Sequence, residues 1–281
     1  MVTFHSEKIS AKITRIYAPG GEQMYLIEGT EKAALIDSGS GVGDLRAFVK
    51  TLTDRPLMVL LTHNHIDHAM GTAQFETVYI STVDKNHFDL DDADRDRRKY
   101  LSFSKESARI EESDYIAVDD PNRFLVIHDG ETFNLGGCSI TALSYGGHTA
   151  GSMVFLVNEE RTLLLGDAAG NFTMLQNATC LTLEMYKKHT AEVANRIKGK
   201  TDRLLLSHDR VTPPNNLLEE MMELCDEIQE SKDDKVPYNF MGTDGLIAKR
   251  CGYGKNCRYG ESDHMRYDGG FGNIIYNPRQ I

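Results

Sequence analysis

The chain has 281 residues, which at about 150 residues per domain fits one large domain or two small ones. Apolar residues make up 40% and charged residues 26% of the sequence, a composition typical of a globular protein that excludes a disordered chain. The formal charge of −11 argues against a dedicated nucleic-acid binder, and no apolar run approaches the about 20 residues of a membrane-spanning helix.

The N-terminal segment and the cysteines predict where the protein works. The first residues contain no uninterrupted apolar stretch of the kind found in signal peptides. The five cysteines are an odd number without a CxxC pair, which favours thiols in a reducing compartment. We therefore expect a cytoplasmic protein that acts on a small molecule and associates with neither membrane nor nucleic acid. Homo-oligomer formation is left open.

Strand patterns dominate the first part of the chain. Apolar or alternating segments separated by turns predict strands, and apolar residues at helical spacing predict a helix over 42–53. Residues 84–122 are densely charged and are expected to form a mostly helical excursion. The predicted strands in this part cover residues 9–17, 24–28, 33–36, 57–61 and 77–81.

Strand patterns return after the excursion and are joined by two long amphipathic helices, predicted over 181–198 and 216–231. We expect residues 1–237 to form one domain that includes the excursion. Residues 238–281 are rich in Tyr and Gly and are expected to pack on the same domain. The predicted strands in this part cover residues 124–127, 139–143, 152–157, 162–165 and 203–206.

Two buried strands end in the same way. LMVLLTH at 57–63 and DRLLLSH at 202–208 are each an apolar strand followed by a hydroxyl residue and a histidine. The chain is therefore expected to contain two related halves, each with a histidine at the end of a strand. Strand-rich segments interrupted by a few amphipathic helices predict an α+β fold of packed sheets with helices outside.

The motif THNHIDH is the strongest chemical signal in the sequence. His63, His65, Asp67 and His68 follow directly after a predicted buried strand. Imidazole nitrogen and carboxylate oxygen are the ligands that zinc and similar divalent metals prefer. Because strand ends hold ligands more accurately than mobile loops do, the motif predicts a metal site.

Together with three later motifs, HxHxDH resembles a known family. GGHTAGS, LLLGDA and LLLSHD follow it in order, and the set is similar to the metallo-β-lactamase-fold superfamily of metallohydrolases, which includes hydroxyacylglutathione hydrolases and lactonases. The resemblance runs from about Met24 to His208. It implies an αββα sandwich, in which two mixed β-sheets are flanked by helices and the metal site lies along one edge of the sheets.

The resemblance also implies a complete set of metal ligands. Three residues would hold one metal, three would hold a second, and one would bridge both. In that order they are His63, His65 and His148; Asp67, His68 and His208; and Asp167. Asp67 and Asp167 are also the predicted catalytic residues. The implied cofactor is two Zn²⁺ ions per chain, with Fe or Mn as alternatives. Asp37 is expected to orient the ligand loop, although a turn-forming role is an alternative.

The implied reaction is hydrolysis. Two metals about 3.5–4 Å apart would activate a bridging hydroxide to cleave a small ester, thioester, lactone or amide. A phosphodiesterase is an alternative, since the ligands alone do not determine the substrate. A mononuclear iron dioxygenase that acts on sulfur, with His63, His148 and Asp167 as ligands, is another alternative, although retention of the other ligands favours two metals. A metal-free binding protein would be expected to have lost ligands, and none is lost.

Two segments are candidates for the walls of the substrate pocket, the charged excursion at 84–122 and the C-terminal segment at 238–281. The C-terminal segment contains too many Tyr and Phe residues for a disordered linker. We therefore expect it to be ordered and to pack near the metal site, where tyrosines would shape the pocket. The alternative is that it completes a sheet or a subunit contact.

Overall fold

The computed structural model describes residues 2–88, 90–104, 107–252 and 265–281. Parts of the predicted excursion and of the C-terminal segment, residues 89, 105–106 and 253–264, lie outside this description. The chain divides into two compact units. Unit 1 comprises Met1–Ala142 and Val157–Glu160, and unit 2 comprises Leu143–Leu156 and Arg161–Ile281.

Unit 1 contains a seven-stranded mixed sheet with the strands in chain order, β1 to β7. The pairs from β1 to β4 are antiparallel, and those from β4 to β7 are parallel. Parallel neighbours need crossover connections, and helices lie in these connections. The strands are β1 (His5–Lys8), β2 (Ile13–Tyr17), β3 (Gln23–Glu28), β4 (Ala33–Ile36), β5 (Leu57–Leu60), β6 (Val78–Ser81) and β7 (Leu125–Ile127). The helices are α1 (Leu45–Lys50), α2 (Ile66–Ala69), α3 (Thr82–Asn86) and α4 (Ala93–Leu101).

Two predicted elements of unit 1 differ from the structure. The helix predicted over 42–53 is confined to α1, because Gly43 has a positive φ of 79° and the Asp44 side chain caps the helix by accepting from the Ala47 amide at 2.8 Å. The strand predicted over 9–17 begins only at Ile13, as β2, because residues 9–12 form the turn after β1, in which the Ser10 hydroxyl accepts from the Ile13 amide.

A second mixed sheet has the order β13-β11-β10-β9-β8, and the division between the units falls within β9 and again within β10. The pair β8 and β9 is antiparallel, whereas β11 and β13 are parallel. The strands are β8 (Thr132–Asn134), β9 (Ser139–Ser144), β10 (Met153–Val157), β11 (Thr162–Leu164) and β13 (Arg203–Leu205).

Two long helices cover the core of unit 2. They are α5 (Leu183–Ile197) and α6 (Leu217–Gln229), close to the predicted helices. The Thr182 hydroxyl accepts from the Met185 amide and begins α5. Apolar side chains of both helices pack with those of β10, β11 and β13 in one hydrophobic core.

The C-terminal segment contributes three of the four strands in a third sheet, with the order β12-β16-β15-β14. The strands are β12 (Thr173–Leu175), β14 (Val236–Phe240), β15 (Thr243–Ile247) and β16 (Ile274–Tyr276). The last strand, β16, pairs in parallel with β12. In the residues described, the C-terminal segment thus completes a sheet.

Mixed sheets with flanking helices confirm the predicted α+β class. Within the described ranges, no helix is both long enough and apolar enough to cross a membrane.

Candidate metal centre

In unit 1, the candidate ligands lie at the carboxyl ends of parallel strands. Asp37 follows β4, and the segment from Thr62 to His68 follows its neighbour β5. Because parallel strands end at the same sheet edge, Asp37 meets this segment. The His63 ring lies 4.7 Å from the His65 ring and 4.1 Å from the His68 ring, measured between centroids. These three imidazoles therefore form one cluster.

Asp67 and Asp37 place carboxylates on opposite sides of the His68 ring. The Nε2 atom of His68 lies 3.7 Å from Oδ2 of Asp67, and its Nδ1 atom lies 2.8 Å from Oδ2 of Asp37. A carboxylate accepts hydrogen bonds, so Nδ1 of His68 holds the proton and Nε2 presents a lone pair. Asp37 thus makes the orienting contact that its sequence context predicted.

Thr62 extends this orientation to His63. Both its amide and its hydroxyl donate to Asp37, at 2.7 Å and 2.9 Å. Since its hydroxyl proton is used in this way, the hydroxyl oxygen accepts from Nδ1 of His63, 2.9 Å away. The Nε2 atom of His63 therefore also presents a lone pair.

The loop from Asp37 to Gly43 supports these contacts. Asp37 itself has a φ of 64°, a left-handed conformation that Asp adopts more readily than most residues. Buried Glu22 holds the loop through Oε1, which accepts from the amide of Ser40 at 2.9 Å and from its hydroxyl at 2.5 Å. Burial raises the pKa of Glu22; the bond from Ser40 opposes this rise and the charge of Asp67 adds to it.

Part of the excursion at 84–122 forms hydrogen bonds to the same loop, residues 37–43. The amide of Ile116 donates to the carbonyl of Gly41 at 2.8 Å, and the guanidinium of buried Arg97 lies 3.4 Å from that carbonyl oxygen. A Cβ at Gly41 would lie 2.3 Å from the carbonyl oxygen of Met70, at the end of the ligand segment. The excursion therefore contributes to holding the loop that orients the ligands.

In unit 2, three predicted ligands lie close together near the ends of strands. Asp167 follows β11 and His208 follows its parallel neighbour β13, so they share one sheet edge. The Oδ2 atom of Asp167 lies 3.3 Å from Nε2 of His208 and 3.6 Å from Nε2 of His148. One carboxylate oxygen thus faces two imidazole nitrogens.

A backbone carbonyl orients His148. Its Nδ1 atom lies 2.7 Å from the carbonyl oxygen of Met174 in β12. A carbonyl only accepts, so Nδ1 holds the proton and Nε2 presents its lone pair towards Asp167. The thiol of Cys180 donates to the carbonyl of His148 at 3.0 Å, which fixes the backbone of this residue as well.

A cleft opens beside Asp167 and His208. Its apolar walls include Phe172, Met174 and Leu206. At its polar end, the Nδ2 atom of the Asn171 side chain donates to Oδ2 of Asp209 at 2.6 Å. Apolar walls with a few polar groups beside two predicted ligands are typical of a small-molecule site.

The donor atoms suit a divalent metal. All seven predicted ligands belong to groups of His and Asp side chains that could hold a metal ion. Two ligands about 2.1 Å from one tetrahedral zinc ion lie about 3.4 Å apart. The separations of Nε2 from carboxylate oxygen, between 3.3 Å and 3.7 Å, match this spacing. The residues therefore fit the metal, while their assignment as ligands stays a prediction.

Several supporting groups were not predicted from the sequence. The Met174 carbonyl is a backbone atom and has no signal in the sequence. Glu22 is distant in sequence from the histidines, and its burial, at 1% exposure, is visible only in the fold. Thr62 is adjacent to His63 in the sequence, and the structure shows that it bonds to both Asp37 and His63.

Comparisons with known proteins agree with this geometry. Residues 17–208 match the sequence model of the Metallo-beta-lactamase superfamily. The acyl-coenzyme A thioesterase MBLAC2 of Bos taurus is 28% identical over 170 residues, covering 54% of this chain and 60% of that protein. An atrochrysone carboxyl ACP thioesterase of Passalora fulva is 26% identical over 216 residues, covering 67% of this chain and 56% of that protein. The alignments thus span less than two thirds of the length of these relatives.

Solved structures show the same fold at low sequence identity. A metallo-beta-lactamase from Pontibacter korlensis superposes with a TM-score of 0.59 at 19% identity, covering 80% of this chain and 99% of that one. The family match includes all seven predicted ligand positions and more than half of the sequence. The chain therefore belongs to the metallo-β-lactamase superfamily.

Proposed function

We propose that the protein is a metal-dependent hydrolase that cleaves a small acyl thioester. The observation that contributes most is the set of donors: five imidazoles and two carboxylates at or near strand ends, with three of the imidazoles oriented by an acceptor at Nδ1. The choice of thioesters rests on the relatives, which are named as an acyl-coenzyme A thioesterase and an atrochrysone carboxyl ACP thioesterase.

We further propose that the seven predicted ligands hold two zinc ions per chain. The supporting argument is chemical: His and carboxylate donors suit zinc, and a bridging role fits Asp167, whose Oδ2 atom faces both His148 and His208. When bound, such ions activate water as a nucleophile and polarise the carbonyl oxygen of the substrate.

The residues of the chain have the complementary tasks. Asp37 and the Met174 carbonyl hold protons on Nδ1 of His68 and His148, so that both rings donate from Nε2. Asp67 and Asp167 are the two carboxylates that orient the attacking water, and one of them accepts the single proton that it releases. The apolar walls of the cleft beside Asp167 bind the acyl group and exclude bulk water from it.

Metal removal and replacement test this proposal. We expect chelation to abolish hydrolysis of short acyl-coenzyme A thioesters and added zinc to restore it. A lactone, a phosphodiester and a β-lactam, assayed in parallel, test the other substrate classes of this fold. Turnover that persists after verified metal removal would contradict the proposal that the protein is a metallohydrolase. Faster hydrolysis of the phosphodiester than of the thioester would contradict the proposed substrate class.

A matched pair of variants tests the site. Asp167→Asn removes a charge between two histidines at nearly constant volume, so we expect a large loss of turnover and of bound metal. His128→Ala removes an exposed imidazole and is expected to change neither. Equal losses in both variants would show that the ligands are misassigned.

Metal analysis separates the proposal from the iron dioxygenase. Two zinc ions per chain in protein purified without added metal would support hydrolysis, and one iron per chain would support the oxygenase. Cys138, Cys180 and Cys225 are buried thiols outside any disulfide. They support a reducing, cytoplasmic environment as part of the proposal.

A further inference from the structure

The turn between Asp167 and β12 is attached to the C-terminal segment by backbone hydrogen bonds. The amide of Asn273 donates to the carbonyl of Gly170 at 3.1 Å, and the amide of Thr173 donates to the carbonyl of Asn273 at 2.9 Å. Gly170 and Thr173 both line the cleft. Asn273 therefore contacts both ends of this turn through its main chain.

The same register continues along the strands. In the parallel pair β12 and β16, Thr173 lies opposite Ile274 and Met174 lies opposite Ile275. The carbonyl of Met174 is the group that accepts from Nδ1 of His148. The position of β16 therefore determines the position of the carbonyl that orients this predicted ligand.

The Asn273 side chain attaches β16 to the rest of the C-terminal sheet. It is fully buried, with 0% exposure. Its Oδ1 atom accepts from the amides of Lys249 and Ile274, both at 3.0 Å, and its Nδ2 atom donates to the carbonyl of Lys249 at 2.8 Å. A buried amide with all these bonds made specifies one arrangement of the backbone around it, because any displacement leaves buried polar groups without partners.

We propose that Asn273 is a positioning residue, which couples the C-terminal sheet to the Gly170–Thr173 turn and thereby fixes the Met174 carbonyl that orients His148. It lies outside the residues matched by the family description, 17–208. The C-terminal segment thus supports the metal centre from behind β12. The inference rests on the proposed function only in taking His148 as a metal ligand.

Asn273→Ala tests the coupling with a measurement that needs no metal. In the metal-free protein, the ¹⁵N shifts of the His148 ring report whether Nδ1 holds the proton. We expect the wild-type protein to show the Nδ1–H tautomer and the variant to show a mixture of tautomers. With Co²⁺ added, the variant should show an altered visible spectrum and about tenfold weaker binding, the lower limit for loss of a group that orients a ligand.

Ile228→Ala is the matched control. Ile228 is a buried apolar residue of α6 in the core of the same unit, and its truncation lowers stability without removing any hydrogen bond that holds β12 or β16. We expect its tautomer signal and cobalt spectrum to equal those of the wild-type protein. If Ile228→Ala changes them as much as Asn273→Ala does, the effect is general destabilisation and the inference is wrong.

A second variant covers the case in which Asn273→Ala does not fold. Asn273→Asp keeps the shape of the side chain and its Oδ1 acceptor but loses the Nδ2 donor to Lys249, and the same criteria apply to it. A folded variant with the wild-type tautomer and cobalt spectrum would overturn the inference. Wild-type protein that binds no Co²⁺ would instead overturn the proposed metal centre, and the tautomer measurement would still decide the role of Asn273.

Discussion

Replacing Asp37 by Asn is expected to weaken metal binding without unfolding the protein. Asp37 accepts from the amide of Thr62 and from Nδ1 of His68, at 2.7 Å and 2.8 Å. In Asp37→Asn, the remaining oxygen is needed by the Thr62 amide, so the new NH₂ group faces Nδ1 of His68. Two donors then oppose each other. The ring relieves this by moving its proton to Nε2, which removes the lone pair that would bind metal.

The magnitude follows from the contacts. Loss of a group that orients a metal ligand typically costs about 10–100-fold in affinity, or about 1.4–2.7 kcal/mol. The stability of the metal-free protein should fall by only about 1–2 kcal/mol, the difference between charged and neutral hydrogen bonds, because Asn also tolerates the φ of 64°. Asp37→Ala should cost more, since it leaves buried donors without an acceptor, at about 1–3 kcal/mol each.

Zinc affinity is measured by competition with a chromophoric chelator, and the free energy of unfolding by urea titration of the metal-free protein. Asp44→Asn is the control, because it makes the same chemical change in the same unit at a helix N-cap, where Asp and Asn are nearly equivalent. Wild-type zinc affinity in Asp37→Asn, or an equal loss in Asp44→Asn, would refute the orienting role of Asp37.

Two further predictions concern buried positions near the predicted ligands: the packing at Gly147 and the pKa of Glu22. A Cβ at Gly147 would lie 2.3 Å from Cδ2 of fully buried Tyr186. Gly147→Ala should therefore lower the free energy of unfolding by about 1–3 kcal/mol through overpacking, and it should reduce the metal content. Gly170→Ala is the control: its new Cβ would lie 3.5 Å from the nearest atom, so the variant should have the melting temperature of the wild-type protein. Because burial raises the pKa of Glu22, the folded chain holds this proton more tightly than the unfolded chain. Wild-type stability should therefore fall as pH rises above the ordinary value of 4.5, and Glu22→Gln should lack this loss. In urea titrations of metal-free protein from about pH 5 to about pH 8, the advantage of Glu22→Gln should grow with pH, and a constant difference would contradict the reasoning.

The seven candidate ligands could be predicted because each follows an apolar strand or a Gly-rich turn that is visible in the sequence. The strands predicted over 57–61 and 203–206 correspond closely to β5 and β13, and His63 and His208 lie just beyond their ends. Parallel pairing then brings neighbouring strand ends together, which explains why Asp167 meets His208 at 3.3 Å. Local patterns were sufficient wherever the ligand and its strand are adjacent in sequence.

Boundaries were less predictable where a turn or a cap overrides an apolar pattern. Val42 and Leu52 have the spacing of a helix, but the positive φ of Gly43 delays its start, and Thr51 ends it. The three-residue strands β8 and β12 are too short to show an alternating pattern. Strands of the C-terminal sheet were not assigned because β14 contains Pro237 and β15 contains Gly245, residues that weaken a strand signal.

The groups that support the ligands depend on contacts between distant parts of the chain, and this limits what a motif can reveal. Three imidazoles are oriented here by three different acceptors: the Thr62 hydroxyl, the Asp37 carboxylate and the Met174 carbonyl. Thr62 and Asp37 directly follow β5 and β4, so both are close in sequence to a strand end that the sequence predicts. The third depends on β16, which lies about 100 residues beyond its partner β12 and outside the residues matched by the family description. A protein with every predicted ligand of this chain could therefore still hold the ring at the position of His148 differently, so metal affinity in this protein should respond to changes in its C-terminal sheet.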